Sequence, residues 1–200
     1  CHACSFLSGQ KKRAYNIGVD YLKDKRYCGI YSLLTTGDLF GAKFAYDEIP
    51  NKLNLYDYDA FNKNKTEFYV TVTNCETGKP EYIKITDMKE QIVYVRASSS
   101  LPLVSKIVMA DGKKYLDGGV SDSIPVKQSL KSGNGKSVVI LTQHKEYRKE
   151  PSSAAKLAKL MYPKYPKLVE QMENRHINYN NTLDFIEEQE KSGTLFVIRP

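Results

Sequence analysis

The stretch KKYLDGGVSDSIP, residues 113–125, puts a carboxylate at the end of a short β-like run and strips the next two positions of side chains. Asp117, Gly118 and Gly119 therefore raise a chemical question. Asp-Gly is a common turn signal, and a plain turn is one reading of the segment. The other is an acid held where a substrate or a second stretch of backbone passes close by. A carboxyl group with a pKa near ~4 is a poor base toward a hydroxyl in water. It becomes effective when held within hydrogen-bond reach and shielded from solvent, so that proton transfer accompanies nucleophilic attack.

The other candidates carry less. Gly119-Val120-Ser121-Asp122-Ser123 approaches the Gly-x-Ser-x-Gly nucleophile elbow, but Ser123 occupies the final glycine position and Pro125 delays the helix that should follow. No complete Gly-x-Ser-x-Gly occurs in the 200 residues. The three histidines are His2, His144 and His176; His176 lies on an apolar helical stripe and reads as a hydrogen-bonded core residue. Cys1-His2-Ala3-Cys4 has a C-x-x-C spacing with no second pair to complete a zinc site, so small residues packing a helix is the better reading. Gly135-Lys136-Ser137 lacks the phosphate-loop glycine, since Leu130 stands at that position and a strand pattern follows. No metal or organic cofactor is expected.

The elements around these residues alternate between helix and strand patterns. Ala3, Phe6 and Leu7 have helical apolar spacing ending at Gly9, with no capping residue before them and no initiator Met, so the chain reads as a fragment that begins inside a helix. Helix is expected over 12–26, 29–36, near 58–63 and over 88–97. Residues 67–73 and 81–85 read as strands around a turn at Gly78-Lys79-Pro80. Strands near 106–109 and 113–116 flank Asp111-Gly112, a hairpin signal. A helix is expected over 125–132. The run SVVILT (137–142) predicts a strand buried on both faces of a sheet. Residues 153–191 predict a long helical region broken near Pro163 and Pro166, with a stripe of Leu168, Met172, His176, Tyr179, Leu183 and Ile186, and 195–198 one more strand. Alternating helices and buried strands indicate a layered α/β fold. No internal repeat is evident.

Composition excludes several classes. Hydrophobic residues at 41% and charged residues at 26% describe a globular chain, not a disordered one. No apolar run approaches the ~18 residues a membrane span requires, and no signal-peptide pattern is present. The net charge of +7 comes from lysines spread along the chain, without an RNA-binding signature, zinc fingers or a basic zipper, so nucleic acid is not an expected partner. Four cysteines with one close pair do not make a disulfide framework and favour a reducing compartment. The expectation is a cytoplasmic protein that touches membranes peripherally.

The segment YLDGG (115–119), preceded by ASSSLPLV (97–104), resembles the later blocks of the patatin-like phospholipases. CHACSFLSGQ (1–10), EIPNKL (48–53), TNCETGKP (73–80) and VILTQHKEYRKEP (139–151) also resemble the bacterial branch of that family. The resemblance spans almost the whole chain. It implies a three-layer α/β/α sandwich, here N-terminally truncated, and a Ser-Asp dyad whose acid is Asp117. It implies that Gly118 and Gly119 form the supporting turn. It also implies that the serine elbow and the Gly-rich oxyanion loop lie ahead of Cys1. One patatin-like domain over 1–200 is expected, with 153–200 a helical C-terminal extension ending in a strand. The implied activity is hydrolysis of a lipid ester, with anionic membrane as a contact surface and the exposed edge and face of the truncated sheet as a route to self-association. The substrate-binding residues stay unassigned. The rival expectation is a non-catalytic basic module that binds lipid headgroups or protein.

Overall fold

Two left-handed residues shape the strand that carries Asp117. Asp111 (φ 47°) and Gly112 (φ 73°) form the two-residue loop between β3 (Val108–Ala110) and β4 (Lys113–Asp117), with Ala110 paired to Lys113. Positive φ at both loop positions is what a type I′ turn requires, and its twist matches that of the flanking strands. The computed structural model describes residues 2–200, which divide into two compact units: one holds residues up to 72 and 81–117, the other 73–80 and 118–200.

A four-stranded sheet, most of whose residues belong to the first unit, has the order β2-β1-β4-β3, with β1 Phe68–Asn74 and β2 Pro80–Ile85. Alternation drives β1 into the core: Val70 and Val72 are buried while Tyr69 is exposed. The same unit holds α1 (His2–Leu7), α2 (Arg13–Tyr21), α3 (Ile30–Thr36), α4 (Tyr58–Lys63) and α5 (Ile92–Ala97), of which α5 packs on β3 and β4. Leu7, Phe61, Val72, Tyr94, Val108 and Tyr115 belong to one apolar cluster. One local expectation changes. The buried face of α1 is Cys4, Ser5 and Leu7, not Ala3, Phe6 and Leu7; Phe6 faces solvent, and the small side chains let the helix pack closely. Phe44–Leu53 winds as a π-helix containing Pro50, which supplies no N–H to a helical ladder.

The second unit contains the 3₁₀ turn Gly118–Val120, α6 (Val126–Lys131), β5 (Ser137–Ile140), α7 (Ala154–Met161), α8 (Pro166–Lys191) and β6 (Leu195–Ile198). Pro166 opens α8, where its missing N–H costs nothing, and α8 buries Leu168, Leu183 and Ile186 from the predicted stripe. Gly78, at φ +68°, passes so close to α8 that a Cβ would sit 2.5 Å from the Lys167 carbonyl oxygen. β5 and β6 pair in parallel, Val138 with Phe196 and Ile140 with Ile198. Val139 and Leu195 are buried with Val126 and Ile186. Here the expected strand buried on both faces is not found: Val138, Ile140, Phe196 and Ile198 are 62%, 72%, 66% and 46% exposed. The reason is that the helices packed on β5 and β6 bury the side chains of one face only.

Candidate active site

Asp117 ends β4 directly after Tyr115 and Leu116, both buried, and is itself half-buried. Its backbone N–H donates to the Ser100 carbonyl at 2.9 Å, tying the strand end to the serine-rich segment. That segment is itself ordered by local bonds, since the hydroxyl of the buried Ser100 donates to the Arg96 carbonyl at 2.8 Å. The serines of 98–100 thus act as loop hydrogen-bonders closing the end of α5. Gly118 and Gly119 begin the 3₁₀ turn, where the Gly118 carbonyl accepts from the N–H groups of Ser121 (3.2 Å) and Asp122 (2.9 Å). The glycines of positive φ among the described residues lie elsewhere.

Ser99 and Ser100 also line a cleft of about 220 Å³ in the first unit, together with Tyr27, Phe40, Tyr46 and Arg96. The Tyr46 hydroxyl and Ser99 Oγ are 2.5 Å apart, and burial pushes the Tyr46 phenol above its usual pKa. Arg96 reaches the buried Asp38 at 3.5 Å, while Asp38 also accepts the Lys106 N–H at 2.6 Å. The cleft thus joins aromatic walls and hydroxyls to an Arg96 guanidinium that is already paired with Asp38.

The remaining sequence candidates take structural roles. Ser121 Oγ is 2.8 Å from Thr73 Oγ1, and Ser123 Oγ donates to the Gly119 carbonyl at 2.7 Å. His144 is exposed with its Nδ1 3.1 Å from Glu146, whose carboxyl this contact holds below its usual pKa. His176 Nδ1 is 3.0 Å from the Glu173 carbonyl one turn earlier in α8. Cys1 lies outside the described residues, and Cys4 is buried, its thiol pushed up by desolvation. Among the described residues no cluster of His, Cys, Asp and Glu could hold a metal ion, and no helix is long and apolar enough to cross a membrane. Sequence reasoning missed the Asp38–Arg96 pair, whose members stand 58 positions apart without a local pattern to join them.

Residues 6–130, the stretch from α1 through the Asp117 turn to α6, match the model of the patatin-like phospholipases. The chain belongs to the patatin-like phospholipase family. Its fold is accordingly α/β, as its mixture of helices and strands indicates. Residues 165–200, which hold α8 and β6, match a separate domain of unknown function, DUF6363. Over 201 residues the chain is 24% identical to the uncharacterized protein YjjU of Escherichia coli (strain K12), covering 98% of this chain and 56% of that protein. The patatin-like chain thus spans about half the length of the curated relative it matches.

Proposed function

We propose that this patatin-like chain carries the acid half of a Ser-Asp dyad that hydrolyses the carboxylic ester of a phospholipid or related lipid. The observation that carries the reading is Asp117 itself: a half-buried acid at the end of a buried strand, followed by a backbone turn whose carbonyls are hydrogen-bonded, within the span matched by the family. In this scheme a serine outside these 200 residues attacks the ester carbonyl as Asp117 takes its proton. The tetrahedral oxyanion collapses, the new Ser–acyl bond remains, and Asp117 returns the proton to the departing alcohol. Water then attacks the acyl-serine with Asp117 again as base, releasing fatty acid and free serine. Backbone N–H donors for the oxyanion, each worth ~3–4 kcal/mol, are assigned in this scheme to residues outside these 200 as well. No cofactor takes part in any of these steps.

Two partner surfaces belong to this reading. Exposed Tyr15, Val19 and Leu22 stand at helical spacing on and just after α2, beside exposed Lys11, Lys12 and Lys23, a pairing of apolar and cationic groups that suits an anionic membrane surface. The bare apolar face of β5 and β6 suits self-association when the 200-residue chain is isolated. The experiment is labelling by a serine-directed fluorophosphonate alongside fatty-acid release from a model ester. The full-length protein labels stoichiometrically and turns the ester over, whereas the 200-residue chain does neither. Stoichiometric labelling of the 200-residue chain would relocate the nucleophile, and a full-length protein that binds vesicles without hydrolysis would favour the binding-module reading.

A further inference from the structure

The backbone that follows Asp117 is secured from a distant helix. Arg175, half-buried on α8, donates from Nε to the Gly119 carbonyl at 2.7 Å. The same oxygen accepts the Ser123 hydroxyl at 2.7 Å, so one carbonyl is held by two donors, one 4 and the other 56 residues further along the chain. One residue earlier, the Gly118 carbonyl takes the N–H groups of Ser121 and Asp122. Upstream of the acid, the Asp117 N–H is tied to Ser100. The peptide links on both sides of Asp117 are therefore constrained, and Arg175 is a donor from far outside residues 121–123.

We propose that Arg175 is a positioning residue for Asp117: its guanidinium fixes the Gly118–Gly119 turn and with it the backbone from which the carboxylate projects. The inference rests on Asp117 being the dyad acid. It assigns α8, and so the domain matched over 165–200, a part in catalysis without contact with substrate. A charge-assisted bond to a carbonyl is stronger than a neutral one. A dyad also responds steeply to geometry, since a misplacement of about 1 Å costs on the order of 100-fold in rate. Glycines, which have the widest choice of backbone conformations, need such a restraint more than other residues.

The test uses the full-length protein and three variants, Arg175→Met, Arg175→Lys and Ser123→Ala. Arg175→Met is expected to lower kcat about 10–100-fold with KM within about twofold, because the loss is of geometry and not of substrate contact. Arg175→Lys, which retains a cationic donor, recovers part of that loss; Ser123→Ala, which leaves the guanidinium in place, costs less. In an Asp117→Asn background Arg175→Met has no further effect on rate. Hydrogen exchange supplies a readout independent of activity, with the Ser121 and Asp122 amides exchanging faster in Arg175→Met. An unchanged kcat, a rise in KM alone, or equal loss in the Lys and Met variants would overturn the positioning role. Should Arg175→Met fail to fold, the Lys and Ser123→Ala variants decide by the same kcat criterion. Wild-type protein without ester hydrolysis would sink the dyad instead, and the exchange experiment would still report whether Arg175 holds the turn.

Discussion

Asp117 inherits its placement from its neighbours in the chain. Leu116, fully buried just before it, anchors the end of β4 in the core. Leu116→Ala is expected to cost 2–5 kcal/mol of stability, on the order seen for deleted core leucines, and urea unfolding should register it as a lower midpoint. An effect below about 1 kcal/mol would mean that the strand end relaxes freely. That Asp117 ends a strand and is followed by a turn was legible, because Asp-Gly-Gly is contiguous and closes a β-like run. Arg175 was not: its partner is a backbone carbonyl 56 residues away, and a carbonyl has no residue type for a motif to record. Ser121 and Ser123 illustrate the same limit. The elbow-like spacing around Ser121 fails because Ser123 takes the final glycine position, and the two hydroxyls are engaged with Thr73 and the Gly119 carbonyl.

Among the elements, those announced by turn chemistry were read well and those set by long-range packing were not. Asp111-Gly112 forms the expected hairpin because few residue pairs tolerate two left-handed positions in succession. The π-helix at Phe44–Leu53 left no such signature, since Pro50 argues locally against any helix. The long-range contacts make their own predictions. Gly78→Ala forces a Cβ against the Lys167 carbonyl at a positive φ and should cost more than about 1 kcal/mol, seen as a lowered Tm; an unchanged Tm would show that the turn can move away from α8. Near β4, burial and then the bond to Asp111 push the Tyr94 hydroxyl up to about 12. An ordinary tyrosine titrates near ~10, so the unfolded chain loses this proton first. The stabilisation is complete below pH ~10 and is lost as the pH climbs toward 12. Tyr94→Phe should flatten the alkaline decline in stability over that interval, and a decline as steep as wild type would assign it to other groups.

At the scale of the molecule, charge and exposed apolar surface set what the chain meets. The surplus of +7 and the Tyr15–Val19–Leu22 stripe predict co-sedimentation with anionic vesicles that weakens between about 0.05 and 0.5 M salt as screening shortens. Leu22→Asp should weaken it further, and binding equal on neutral vesicles would contradict the electrostatic part. The 200-residue chain should elute in size exclusion above its monomer mass of 22.8 kDa, with Phe196→Lys shifting it toward monomer; a clean monomer at all concentrations would show that the β5–β6 face needs no cover. The strand pattern SVVILT promised burial on both faces, and only one is buried, because a pattern states what a strand can bury and not what is there to bury it. The central claim meets its most direct test in the kinetics of one isosteric change, Asp117→Asn in the full-length protein. The account predicts loss of fatty-acid release by at least about a thousandfold, given that acid–base and nucleophile activation both fail, with Tm and circular dichroism retained. Undiminished turnover in that folded variant would contradict it.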